Sequence, residues 1–192
     1  MPVLRQRHPR LSPSRMPVLR QRHRNPPRNL IMRKELKYLV LHCTATPEGR
    51  EVSSSEIRHW HTDPKPRGRG WNQVGYTDMI HLDGRVERLV NNNEDAWVDP
   101  WEITNGAKGY NAVSRHVVYV GGLKHIPGVP NDRLPAKDTR TAAQREALKR
   151  YVLDFHRRHP RVKIVGHNQL AAKACPSFDV PKWLKEIGIN QK

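Results

Sequence analysis

The sequence predicts an α/β fold: a single domain with a mixed central β-sheet flanked by helices, preceded by a disordered basic N-terminal arm. Three observations predict it. Short apolar, β-branched runs alternate along the chain with amphipathic stretches of helical spacing, the pattern of a sheet covered by helices. One pair of those runs flanks Asp83-Gly84, a two-residue hairpin signal, so the sheet is not all parallel. The length of 192 residues suits one compact domain with a tail. We place the arm at residues 1–34 and the domain at 35–192.

Residues 1–34 hold ten Arg or Lys and no Asp or Glu, more than half of the formal net charge of +17. The octapeptide MPVLRQRH occurs at 1–8 and again at 16–23. Rich in Pro and Arg and without hydrophobic periodicity, the segment is expected to be disordered when free. Met32, just before the first strand, leaves a duplicated or over-called start as the alternative. A positive patch of this size attracts anionic polymers, nucleic acid and cell-envelope polymers alike, and the attraction weakens with salt. No apolar run approaches the roughly 18 residues of a membrane span, and the arm lacks the roughly 7 to 15 apolar residues of a secretory signal. The expectation is a protein made in the cytoplasm without a signal peptide.

The elements follow in order. Residues 38–41 form a short apolar run that reads as a buried strand ending at His42. Ser53 with Glu56 is a capping box, opening a short amphipathic helix through Trp60. Residues 79–82 and 85–89 are the arms of the hairpin, and 91–115 is polar and loop-like. Residues 117–120 read as a central strand closed by Gly121-Gly122, followed by a surface loop rich in Pro and Gly up to Pro135. Thr141 and Gln144 cap the best helix, Ala142–Arg158, with Leu148, Tyr151, Val152 and Phe155 on one face. A last strand at 162–165 leads into His167, and a short helix at 181–187 starts on Pro181.

Two histidines share one local position, at the end of an apolar strand where the chain enters a polar loop: His42 in LVLHCTAT and His167 in KIVGHNQL. Functional side chains concentrate at such places. Eight residues after His167 comes Cys175, in AAKACPSFD. Two neutral imidazoles and a thiolate are good zinc ligands, and three protein ligands leave the fourth position open, as in catalytic sites. Spacing alone does not choose them, because the chain has 11 histidines and a lone strand-end histidine is more often structural. His42 and Cys43 point to opposite faces of a strand, which argues against a Cys43 to Cys175 disulfide. Lys173, two residues before Cys175 in an extended loop, projects to the same side, although an ordinary solvated lysine fits the local sequence equally well.

The segments LVLHCTAT, SEIRHWH, GWNQVGY, DGRVE, AKGYN, VGG and KACPSFD succeed one another as in the type 2 N-acetylmuramoyl-L-alanine amidases. The chain most resembles the phage lysozymes of amidase type, which are related to the peptidoglycan recognition proteins. The resemblance covers about residues 37–183, but neither the arm nor the loop 124–135. It implies zinc (Zn2+) held by His42, His167 and Cys175, with Tyr76 and Lys173 as catalytic residues. Trp71, Asn111 and Ser114 match positions near the substrate groove. The family often has histidine directly after the Gly-Tyr pair, where this chain has Thr77.

The implied function is zinc-dependent hydrolysis of the amide between N-acetylmuramic acid and L-alanine in bacterial peptidoglycan, by a phage or prophage endolysin that acts on the wall after release. Zinc would polarise the carbonyl and lower the pKa of its water towards 7. A phenol of reference pKa about 10 is a poor base, so Tyr76 is expected to donate to the oxyanion together with Lys173. The alternative is a peptidoglycan-binding protein of the same fold that does not cut, a case that a missing zinc ligand would mark. Nucleic-acid binding is disfavoured because the charge is concentrated in the arm and no zinc-finger spacing is present. The H-x-E and P-C-x-x-C signature of zinc deaminases is also absent.

Overall fold

In the computed structural model, which describes residues 33–191, four short apolar runs form the parallel centre of one sheet. The strands are β1 (Lys34–Glu35), β2 (Tyr38–Cys43), β3 (Thr46–Pro47), β4 (Asp78–Ile80), β5 (Val86–Arg88), β6 (Trp97–Val98), β7 (Ser114–Tyr119), β8 (Gly122–Leu123) and β9 (Lys163–Gly166). The helices are α1 (Ser54–Thr62), α2 (Ala142–Arg158) and α3 (Val180–Glu186). The central sheet runs β5-β4-β7-β2-β9, parallel throughout except for β5, which pairs antiparallel with β4. The sheet is therefore mixed, as the Asp83-Gly84 turn requires. There Gly84 takes φ +85°, a conformation that favours glycine, and its N–H donates to His81 O at 2.9 Å.

Side-chain alternation divides the core. Leu39, Leu41, Cys43, Ile80, Val117 and Tyr119 face α2 and α3, packing on Leu148, Val152, Phe155, Val180 and Trp183. Met79, Val118 and Val120 face the other way and pack with Ile57 of α1 and Val74. Period-two alternation therefore sends His42 to the α1 side and Cys43 to the α2 side.

Both capping boxes form. Glu56 N–H donates to Ser53 Oγ at 3.2 Å and Ser53 N–H to Glu56 Oε2 at 2.9 Å. Gln144 N–H donates to Thr141 Oγ1 at 3.0 Å, and Thr141 N–H returns the bond to Gln144 Oε1 at 3.0 Å. Gln144, fully buried, also donates from Nε2 to Val120 O at 2.9 Å and Ile80 O at 3.3 Å, tying the start of α2 to the ends of β4 and β7.

Some boundaries differ from the expectation. The stretch 91–115 contains β6 and two 3-10 turns, Pro100–Glu102 and Asn111–Val113. β7 begins at Ser114 rather than at 117, because its first three residues, Ser114, Arg115 and His116, are polar yet buried. The residues of the expected arm up to Met32 lie outside the described residues, whereas Lys34 pairs with Val98 in a short ribbon and belongs to the fold. Among the described residues no helix is long and apolar enough to cross a membrane.

Candidate metal centre and cleft

Two parallel neighbours end at the same edge of the sheet, which is how their terminal histidines meet. His42 lies in the last turn of the β2 ladder, opposite Val118 of β7. β9 pairs with β2 up to Gly166, and His167 follows at once in the 3-10 turn His167–Gln169. The returning loop is pinned by Asn168 N–H donating to Cys175 O at 2.7 Å, and Cys43 N–H points at Cys175 Sγ, 3.3 Å away. Cys43 and Cys175 are both free thiols.

His42, His167 and Cys175 thereby place one ligand atom each within 4.8 Å of one another. His42 Nδ1 is 3.6 Å from Cys175 Sγ. Tetrahedral zinc with Zn–N near 2.0 Å and Zn–S near 2.3 Å needs N to S separations of about 3.5 Å, so the residues present fit such an ion. Burial first, then the neighbouring His116, His167 and Lys173, holds His42 well below the usual histidine range, and burial and Lys173 lower His167 too. Both imidazoles are thus neutral and able to ligate at pH 7. Without a dication, the contact with Cys43 and burial push the Cys175 thiol up; a coordinated dication would reverse that.

The trio lies beside a cleft of about 440 Å³. Lys173 lines it close to His42 and His167, and Tyr76 lines it with its ring centroid 5.2 Å from that of His42. Burial, reinforced by Cys175 and Cys43, raises the Tyr76 hydroxyl above the usual phenol range, so it remains a proton-bearing donor. Trp71 and Asn111 also line the cleft. Asn111 Oδ1 accepts the Ala107 N–H at 2.8 Å, shaping the loop on one side. Ser114 is buried opposite Tyr38 at the start of β7 and is not among the residues that line the cleft.

Two further histidines near the site, His61 in the cleft wall and His116 beneath it, escaped the sequence reading. His61 is buried on α1, one turn after Ile57, and its Nδ1 accepts the Gly75 N–H at 3.1 Å, setting the backbone just before Tyr76. Burial, with a smaller effect of Arg69, pushes it down to about 4. The i, i+4 spacing from Ile57 was a usable signal. His116 is fully buried on β7, with Nδ1 3.0 Å from His42 Nε2, and burial pushes it down to about 3. Thr77, where the family often has histidine, accepts the His116 N–H on its hydroxyl at 3.2 Å.

Comparison with known families assigns the chain as a whole. The N-acetylmuramoyl-L-alanine amidase family model matches residues 32–178, and the chain belongs to that family. It is an N-acetylmuramoyl-L-alanine amidase, a hydrolase of peptidoglycan. The chain is 34% identical to the endolysin of Enterobacteria phage K11 over 80% of this chain and 88% of that protein. It is 32% identical to the endolysin of Escherichia phage T7, over 79% and 87% respectively. Among solved structures it is similar to the Ph2119 endolysin from the Thermus scotoductus MAT2119 bacteriophage Ph2119, with TM-score 0.57 and 27% identity, covering 81% of this chain and 86% of the other.

Proposed function

We propose that this amidase is a zinc-dependent endolysin that cleaves the bond between the lactyl group of N-acetylmuramic acid and L-alanine, with His42, His167 and Cys175 holding the metal. The observation that carries the proposal is the convergence of two neutral imidazoles and one thiol, within 4.8 Å, beside the cleft. Zinc bound there would supply a Lewis acid for the amide carbonyl and water of lowered pKa. The chain's own residues do the rest. Lys173 brings an ammonium and Tyr76 a protonated hydroxyl to the same cleft, where both donate to the oxygen that gains charge as water adds to the carbonyl carbon. Trp71 and Asn111 line the cleft along which the glycan or stem peptide lies.

The endolysin relatives support action on the cell wall after release from the cytoplasm. A purely binding role is disfavoured because all three ligand residues are present. Mass spectrometry of digested peptidoglycan tests the bond assignment. Free stem peptides beginning with alanine, beside intact glycan strands, are expected; cleaved sugars or peptide cross-links would overturn it.

A further inference from the structure

We propose that His116 is a positioning residue for the metal centre: its Nδ1 accepts the Nε2–H of His42 and so keeps His42 Nδ1 bare towards His167 and Cys175. The proposal rests on the assignment of those three residues as metal ligands. The two rings meet at 3.0 Å in a buried contact between residues 74 positions apart. Two neutral arrangements are open to the pair. If the shared proton sits on His42 Nε2, its Nδ1 is a lone pair 3.6 Å from Cys175 Sγ. If it sits on His116 Nδ1, His42 carries its own proton on Nδ1, where the metal has to bind. Only the first makes His42 a neutral ligand, and a hydrogen bond from the non-ligating nitrogen is what fixes such a tautomer.

The surroundings of His116 are built around this contact. A Cβ added to Gly106 would come within 2.6 Å of His116 Cγ, so the loop backbone lies against the ring with no room to spare. Thr77, just before β4, accepts the His116 N–H. Along the same face, the next two inward side chains are Val118 and Val120, both fully buried. A side chain needed only to fill this space would be apolar like them, whereas His116 leaves Nε2 buried with no partner among the described residues. Its one ring bond is spent on a ligand residue.

The test uses the full chain, stripped of metal and titrated with zinc against a chromophoric chelator. His116→Asn keeps an acceptor near the Nδ1 position, and His116→Leu fills the space without one. The asparagine variant should bind zinc within about threefold of the unmutated protein, and the leucine variant about 10- to 100-fold more weakly. Unchanged affinity in His116→Leu, or an equal loss in both variants, would overturn the positioning role. Failure of the unmutated protein itself to bind zinc would instead remove the ligand assignment, and the proposal with it. Should His116→Leu not fold, nitrogen-15 NMR of the unmutated zinc-loaded protein decides: a slowly exchanging proton on His42 Nε2, coupled across the hydrogen bond to His116 Nδ1, is expected. A proton on His116 Nδ1 would overturn it.

Discussion

Lys173 and Tyr76 are side chains of ordinary type whose proposed role comes from position. Both line the cleft beside the ligand trio, and neither belongs to it. The proposed donation acts once charge builds on the substrate oxygen, so Lys173→Ala and Tyr76→Phe should each lower kcat by about 100-fold or more while zinc content and KM change little. Steady-state kinetics with metal analysis checks this, and a loss confined to KM would exclude the role. His61 supports a pH prediction. It is held at about 4 when folded against 6.5 for a free histidine, so between those values the unfolded chain binds more protons. The stability it contributes is complete above pH 6.5 and is lost as pH falls towards 4. In metal-free protein, urea unfolding at pH 7 and pH 5 should show a loss smaller by on the order of 1 kcal/mol in His61→Asn than in the unmutated chain. Strand-end position exposed His42 and His167 to sequence reading. His116 gave no comparable signal, because it lies before the apolar run 117–120 from which the strand was read, and only the pairing with β2 shows that it belongs to β7.

At the scale of elements, α2 could be read to its last residue because its start is written locally: Thr141 and Gln144 satisfy each other's backbone, and the apolar face recurs at helical spacing. β1, β3, β6 and β8 could not be read, since two-residue strands have no periodicity and exist only through their partners. The start of β7 at Ser114 was not legible for a related reason: nothing local fixes where that strand begins. Gln144 joins the two levels, since it caps α2 and also bonds the ends of β4 and β7. Gln144→Leu leaves Val120 O and the Thr141 N–H without those bonds, so it should destabilise the fold by about 2 kcal/mol. Thr141→Ala should cost about 1 kcal/mol. Denaturant unfolding checks both, with the larger effect expected at Gln144.

For the whole molecule, most of the net charge lies apart from the cleft. The ten basic residues of 1–34 carry most of the net charge of +17, while the fold begins by Lys34 and the cleft lies wholly within the later residues. We propose the arm as an electrostatic tether to anionic envelope polymers. Truncation to begin at Met32 should leave the melting temperature and kcat on soluble fragments unchanged, and should weaken action on whole cells at low salt. High salt should erase the difference, since exposed charges are screened beyond about 8 Å at 0.15 M. Equal action on cells at low salt would leave the arm without this role, and lost activity on soluble fragments would place it in the fold.

The central claim is that His42, His167 and Cys175 hold the zinc on which the amidase depends, and zinc stoichiometry tests it most directly. The two cysteines make the measurement self-controlled, because they are adjacent in space but only Cys175 stands with His42 and His167 in the ligand trio. Cys175→Ala should lose the bound ion and nearly all turnover, and Cys43→Ala should retain both. Full zinc occupancy in folded Cys175→Ala would contradict the account.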